Sequence, residues 1–102
     1  LLTMIVITGT VRLPVANREA AFPAMRAMVE ASRAEDGCEA YSYAFDLLDD
    51  GLVHIVERWR DREALEAHFA TEHMAAWRAQ FAKLGITDRD LTLFETDTGT
   101  PV

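Results

Sequence analysis

The sequence predicts an α+β, ferredoxin-like domain with the order β, α, β, β, α, α, β, in which a four-stranded antiparallel sheet carries helices on one face. Four segments of alternating or β-branched apolar residues indicate the strands. Apolar residues at helical spacing follow the first and third strands and indicate the helices. A length of 102 residues suits one such domain with a single core.

The first strand is predicted from Met4 to Val11, where β-branched residues and apolar side chains on both faces indicate an interior position. A helix then follows with Asn17 as its N-cap, and it ends before Gly37. Pro23 removes one backbone hydrogen bond, so this helix either begins near Phe22 or kinks there.

A hairpin is predicted next. Residues from Cys38 to Asp46 alternate aromatic with small side chains, which indicates a strand rather than a helix. Asp49 to Gly51 favour a tight reversal, and Leu52 to Trp59 form the returning strand.

Two helices and a last strand complete the prediction. Asp61 caps the first of these helices, and Thr71 caps a second piece, which indicates a break between them. Gly85 ends the helical region, and the alternation from Asp90 to Thr96 predicts the fourth strand.

The domain is assigned to residues 4–96. Residues 1–3 precede the first methionine and are interpreted as a leader or a cloning remnant, and residues 97–102 form a polar tail. The predicted strands carry apolar residues on both faces, whereas the helices cover only one. We therefore expect a homodimer at micromolar concentration that packs sheet to sheet.

Charge and composition exclude several partners. Ten Lys and Arg oppose 17 Asp and Glu, a net charge of −7, which disfavours nucleic acid and anionic membrane surfaces. No apolar run approaches the ~20 residues that a membrane span needs. The single cysteine, Cys38, cannot form an intrachain disulfide, so a cytoplasmic location is expected.

No cofactor or metal site is predicted. The chain lacks GxGxxG, GxSxG, CxxC and HExxH motifs, so flavin, nicotinamide and metal are not expected. His68 and His73 lie five residues apart, which on a continuous helix points them in different directions, and no third ligand is evident.

His68 is the preferred general base, because it lies on the inward edge of its helix and imidazole titrates near neutral pH. A hydrogen-bonded structural histidine is an equally good interpretation. His73, beside the Thr71 cap, and His54, on a strand, are expected to be structural, although His73 is also kept as a candidate for substrate contact.

Aromatic residues are candidates for substrate binding. Trp59, Tyr41 and Tyr43 could wall a pocket for a planar ligand, although aromatic side chains on strands are more often core. Glu57 is either a buried carboxyl with a raised pKa or half of an ion pair with an arginine, and the ion pair is commoner.

Four segments carry a resemblance to a known family: Ser32 to Cys38, Tyr41, Glu57 to Trp59, and Ala64 to Met74. Their sequences and spacing resemble the antibiotic biosynthesis monooxygenase (ABM) family of dimeric α/β barrels, which includes small quinol monooxygenases. The resemblance extends over nearly the whole chain and implies a pocket between sheet and helices in each subunit.

The resemblance implies a cofactor-independent monooxygenase that oxidises a small phenolic or hydroquinone-type aromatic with dioxygen. Trp59 and His68 fall where family members place pocket residues. In this mechanism Tyr43 and Trp59 hold the ring while His68 takes its proton. Some oxygenase members have an asparagine four residues before the tryptophan, where this chain has Ile55.

Two alternatives stay open at this point. The first is a non-catalytic dimeric protein that binds a small ligand in the same pocket. The second is a heme-binding or heme-degrading relative of the same fold.

Overall fold

β1 (Met4–Arg12) is a central strand of a four-stranded antiparallel sheet in the computed structural model, which describes residues 1–102. The order across the sheet is β2 (Cys38–Phe45), β3 (Leu52–Trp59), β1 and β4 (Thr87–Thr96). All neighbouring pairs are antiparallel. This topology confirms the ferredoxin-like α+β prediction, and only β4 begins earlier than expected.

α1 (Arg18–Arg33) follows a short 3₁₀ turn, Val15–Asn17. Pro23 lies inside the helix, so the alternative in which proline opens it is wrong. Pro23 has no N–H, so the carbonyl four residues earlier, in the first turn of the helix, lacks its usual partner. That part of the helix is exposed, so water can bind the carbonyl. Asn17 precedes the helix as predicted, but its amide donates to the Leu84 carbonyl instead of capping.

α2 (Arg62–Phe69) and α3 (Glu72–Leu84) are separate helices, as the second cap predicted. The Asp61 carboxylate accepts a hydrogen bond from the backbone of α2, and the Thr71 hydroxyl does the same for α3. Gly85 ends α3 in a left-handed conformation that suits glycine. No helix is both long and apolar enough to cross a membrane.

Strict alternation on β3 builds the core. Val53, Ile55, Glu57 and Trp59 are buried beneath the helices, while the residues between them are exposed. β1 contributes to the same face, and α1 and α3 cover it with methionine, tryptophan and leucine side chains. One continuous apolar layer therefore separates the sheet from the helices and surrounds a single carboxyl group.

The opposite face of the sheet carries no helix. Val56 and Phe94 are 43% and 52% exposed there, and Val6 is half-buried between their strands. Apolar side chains thus lie on both faces of the sheet, as the sequence predicted.

Candidate active site

A small cavity lies between the sheet and α3. The space open to the centre of a water molecule is about 30 Å³, enough for roughly two waters and too little for an aromatic ring. Nine of the eleven residues that line it are hydrophobic. The lining residues are Val11, Tyr41, Tyr43, Ile55, Glu57, Met74, Trp77, Phe81, Ile86, Arg89 and Leu91.

Glu57 is the carboxyl group of this cavity. Its side chain points inward from β3 and is only 6% exposed. Burial raises the pKa of Glu57, because desolvation disfavours the carboxylate, although a hydrogen bond from Trp59 acts against this. That bond joins the indole Nε1–H to Oε1 at 3.0 Å. No arginine pairs with Glu57, so the ion pair that the sequence favoured is wrong.

Two tyrosines form another wall of the cavity. The hydroxyls of Tyr41 and Tyr43 are hydrogen-bonded at 2.8 Å, and the Tyr43 ring stacks on Trp77 at a centroid distance of 5.9 Å. Burial raises the pKa of both phenols, so both are neutral hydrogen-bonding groups at ordinary pH. They can orient a polar substituent but are poorly suited to remove a proton.

Beside the cavity, one carboxylate joins two imidazoles, and we call these three residues the histidine cluster: Glu35, His68 and His73. Glu35 Oε2 lies 2.6 Å from His68 Nδ1 and 2.8 Å from His73 Nε2. His68 is 1% exposed, and its ring lies 4.5 Å from that of Trp59. It is also 5.5 Å from the ring of Tyr41.

The break between α2 and α3 makes this cluster possible. The separate N-cap at Thr71 turns the chain, so His73 approaches the same carboxylate as His68 despite their spacing of five residues. The sequence argument against a shared site assumed one continuous helix and was wrong on this point. It also missed Glu35 as a partner, because 33 residues separate Glu35 from His68.

Packing of the loop after α1 positions Glu35. Gly37 has a φ of +82°, and a Cβ there would lie 2.6 Å from the Ala64 Cβ of α2. Its carbonyl accepts a hydrogen bond from the Arg60 N–H at 2.8 Å. The glycine therefore lets the loop approach α2 closely, which brings Glu35 within reach of His68.

The structure divides the predicted site residues into two groups. Tyr41 and Tyr43 line the cavity, whereas His68 and His73 belong to the histidine cluster and do not line it. Trp59 is fully buried and contacts both regions through Glu57 and His68.

The sequence did not predict Trp77, Phe81 or Arg89 as lining residues of the cavity. Trp77 and Phe81 lie four residues apart on α3, where Trp77 is buried and Phe81 is partly buried. Nothing in the pattern around Arg89 distinguishes it from a surface residue.

Sheet, helices and cavity together define a ferredoxin-like α+β protein with an aromatic cavity beneath α3. The family model described as "Antibiotic biosynthesis monooxygenase" matches residues 4–80. The chain therefore belongs to the antibiotic biosynthesis monooxygenase family, as its sequence motifs indicated.

Two relatives match part of the chain. "Putative monooxygenase Rv0793" of Mycobacterium tuberculosis is 40% identical over 58 residues, which are 57% of this chain and 56% of that protein. "Uncharacterized protein sll1783" of Synechocystis sp. is 33% identical over 69 residues, 68% of this chain and 47% of that protein. The chain spans about half the length of these curated relatives.

Solved structures share the fold over nearly the whole chain. A Deinococcus radiodurans protein described as a "putative antibiotic biosynthesis monooxygenase" has a TM-score of 0.88 at 23% identity, covering 96% of this chain and 97% of that one. A Bacteroides thetaiotaomicron protein described as a "possible oxidoreductase" has a TM-score of 0.81 at 30% identity, covering 93% and 99%. The first likeness concerns the fold alone.

Proposed function

We propose that this protein is a cofactor-independent monooxygenase that oxidises a small phenolic or hydroquinone-type aromatic with dioxygen. The observation that carries the proposal is an aromatic cavity with one buried carboxyl group, Glu57, whose pKa is raised. Membership of a family named for monooxygenases supports the reaction class.

The chemistry requires a proton acceptor and a water-poor site. A hydroquinone that loses a hydroxyl proton to Glu57 becomes an electron-rich phenolate, which can pass one electron to dioxygen. Recombination of the radical pair forms a C–O bond, the resulting peroxide takes the proton back from Glu57, and loss of water leaves a hydroxyquinone. One hydroquinone and one dioxygen thus give one hydroxyquinone and one water, with the substrate supplying all the electrons.

Each cavity residue has a distinct part in this proposal. Glu57 takes the proton, and Trp59 acts from behind it by fixing the carboxyl group with its indole N–H. The hydroxyls of Tyr41 and Tyr43 orient the substrate's oxygen. In this proposal the general base is Glu57, which lines the cavity, and not His68, which the sequence favoured.

Substrate entry requires side-chain movement, because the cavity is smaller than an aromatic ring. Phe81 and Trp77, on the helix side, form the movable wall in this proposal, since Phe81 is partly exposed. The small volume also favours the second candidate function, a non-catalytic protein that binds a smaller ligand.

Oxygen consumption with a panel of hydroquinones and phenols tests the proposal. The monooxygenase predicts dioxygen uptake with a stoichiometric hydroxyquinone product, whereas binding that quenches Trp77 fluorescence without uptake would identify the non-catalytic alternative. A parallel heme titration tests the alternative that this protein binds heme.

We further propose that the protein is a homodimer that pairs through the uncovered face of the sheet. Val56 and Phe94 are the exposed apolar side chains on this face, and burying them would remove apolar area from water at ~25 cal/mol per Å². Light scattering at micromolar concentration should give twice the chain's mass of 11.4 kDa. A monomeric mass would contradict the proposal.

A further inference from the structure

We propose that the histidine cluster, Glu35, His68 and His73, is a binding site for a divalent transition-metal ion of the zinc or ferrous-iron type. The cluster is separate from the cavity, and the inference does not depend on the proposed oxygenation. None of its three residues lines the cavity wall.

The donor set is the first argument. His68 Nδ1, His73 Nε2 and a Glu35 carboxylate oxygen lie within 4.8 Å of one another and come from three separate segments of the chain. Two imidazoles and one carboxylate suit zinc and ferrous iron, and they leave coordination positions open for water. Calcium and magnesium prefer sites made of oxygen atoms alone.

Preorganisation is the second argument. His68 is held between the rings of Trp59 and Tyr41, and Glu35 is held by the loop that packs on α2 through Gly37. Two of the three ligands are thus fixed before an ion arrives. A site whose ligands are already ordered loses less conformational entropy on binding.

The third ligand, His73, can move and can be reached from solvent. His73 is 27% exposed in the first turn of α3, so an ion can reach the cluster from solvent. Metal–ligand bonds of ~2.0–2.2 Å separate neighbouring donor atoms by roughly 3 Å or more. The two present contacts, 2.6 and 2.8 Å, must open slightly, and the two nitrogens must approach each other, mainly through movement of His73.

The chain contains its own control for this chemistry. His54 Nε2 lies 2.7 Å from Asp46 Oδ2, the same type of imidazole–carboxylate contact but with a single histidine and with the His54 side chain 46% exposed. Cys38 provides a second control, because it carries the chain's only thiol, and zinc also binds thiolates.

Zn²⁺ titration of the chelator-treated full chain by calorimetry is the central experiment. Wild-type protein should bind one equivalent, and its melting temperature should rise with Zn²⁺. Second-sphere substitutions weaken metal binding by about 10–100-fold, so loss of a ligand in His73→Ala or Glu35→Gln should weaken it by about 100-fold or more. His54→Ala and Cys38→Ser should bind as the wild type does.

Spectroscopy with Co²⁺ identifies the donor atoms independently. The site should give visible ligand-field bands without the thiolate charge-transfer absorption of a cysteine ligand, and the affinity should fall on acidification because protons compete for imidazole. His73→Ala, checked for folding by circular dichroism, should lose these bands.

Two results would overturn the inference. The first is no saturable binding of Zn²⁺ or Co²⁺ at millimolar metal, which would leave the cluster as a hydrogen-bonded brace between α1, α2 and α3. The second is binding that His73→Ala and Glu35→Gln leave unchanged. Dioxygen uptake is measured in neither case, so failure here is distinguishable from failure of the proposed reaction.

Discussion

The cavity and the histidine cluster each contain one carboxyl group, Glu57 buried and Glu35 partly buried, and the two groups have different hydrogen-bond partners. Glu57 in the cavity accepts one hydrogen bond from a neutral indole, and burial raises its pKa. Glu35 in the cluster has two imidazole partners on one oxygen. Desolvation thus favours the neutral form of Glu57, whereas the Glu35 carboxylate oxygen is placed to hold two imidazoles together.

Trp59 connects these two regions. Its indole N–H donates to Glu57, and its ring packs against His68 at 4.5 Å. Trp59 therefore contacts one residue of each region, and a change at Trp59 affects both.

Trp59→Ala should have the largest effect, because the ring is fully buried and its removal leaves a cavity beside two polar groups. We expect a loss of ~3–5 kcal/mol in the free energy of unfolding, as for other buried large rings. Urea unfolding at one fixed protein concentration measures this change.

Trp59→Phe is the smaller change at this position, because it keeps an aromatic ring but removes the N–H that serves Glu57 together with part of the ring volume. Leaving that buried carboxyl group without its donor should cost ~1–3 kcal/mol. Equal losses for the two variants would mean that the parts of the indole absent from phenylalanine, the N–H and the larger ring, dominate the role of Trp59, and not the aromatic contact that phenylalanine keeps.

The strands and helices could be predicted because local signals agree with the tertiary structure. The alternation on β3 and the caps at Asp61 and Thr71 each match the observed element. The start of α1 could not be predicted in the same way. A proline in the second turn costs one hydrogen bond, but packing of Met25 and Met28 onto the sheet outweighs it.

The site was less predictable because its chemistry depends on distant parts of the chain. Tyr41 and Tyr43 were found from their spacing on one strand, yet the spacing of His68 and His73 pointed away from a shared partner. The Thr71 cap predicted the helix break, but the loop that carries Glu35 reaches His68 through tertiary packing, which no local pattern specifies. The raised pKa of Glu57 depends on burial, to which the helices contribute and which its own strand does not specify.

Glu57→Gln tests which region supplies the base. If the protein oxidises hydroquinones, this variant should lose about 10²-fold or more in turnover, since it keeps the shape of the side chain and removes its basicity. His68→Gln should reduce turnover less than about 10-fold, because His68 does not line the cavity. The initial rate of dioxygen uptake, measured on variants with intact circular dichroism, gives the comparison. The reverse ranking would return the base to His68.

The pH dependence of stability tests the raised pKa of Glu57 without any substrate. Glu57 keeps its proton to higher pH in the folded chain than in the unfolded chain, where its value is near 4.5. The resulting stability is complete below pH 4.5 and is lost as pH rises through the folded pKa. Glu57→Gln lacks this dependence, so its stability relative to wild type should increase as pH rises above 4.5. Parallel curves of urea midpoint against pH would contradict this.

His54→Ala should have the smallest effect, because its contact with Asp46 is exposed to solvent, which screens the charges. The His54 hydrogen bond is the main cause that lowers the pKa of Asp46 below 3.8, but backbone N–H groups of Leu48 and Asp49 also bind the carboxylate. In the variant, the pKa of Asp46 should therefore rise and yet remain below 3.8, which NMR titration of the carboxyl carbon measures. The urea midpoint and Zn²⁺ affinity should not change. A lower urea midpoint for His54→Ala would contradict this prediction. It would mean that the exposed His54–Asp46 contact stabilises the fold in spite of screening by solvent.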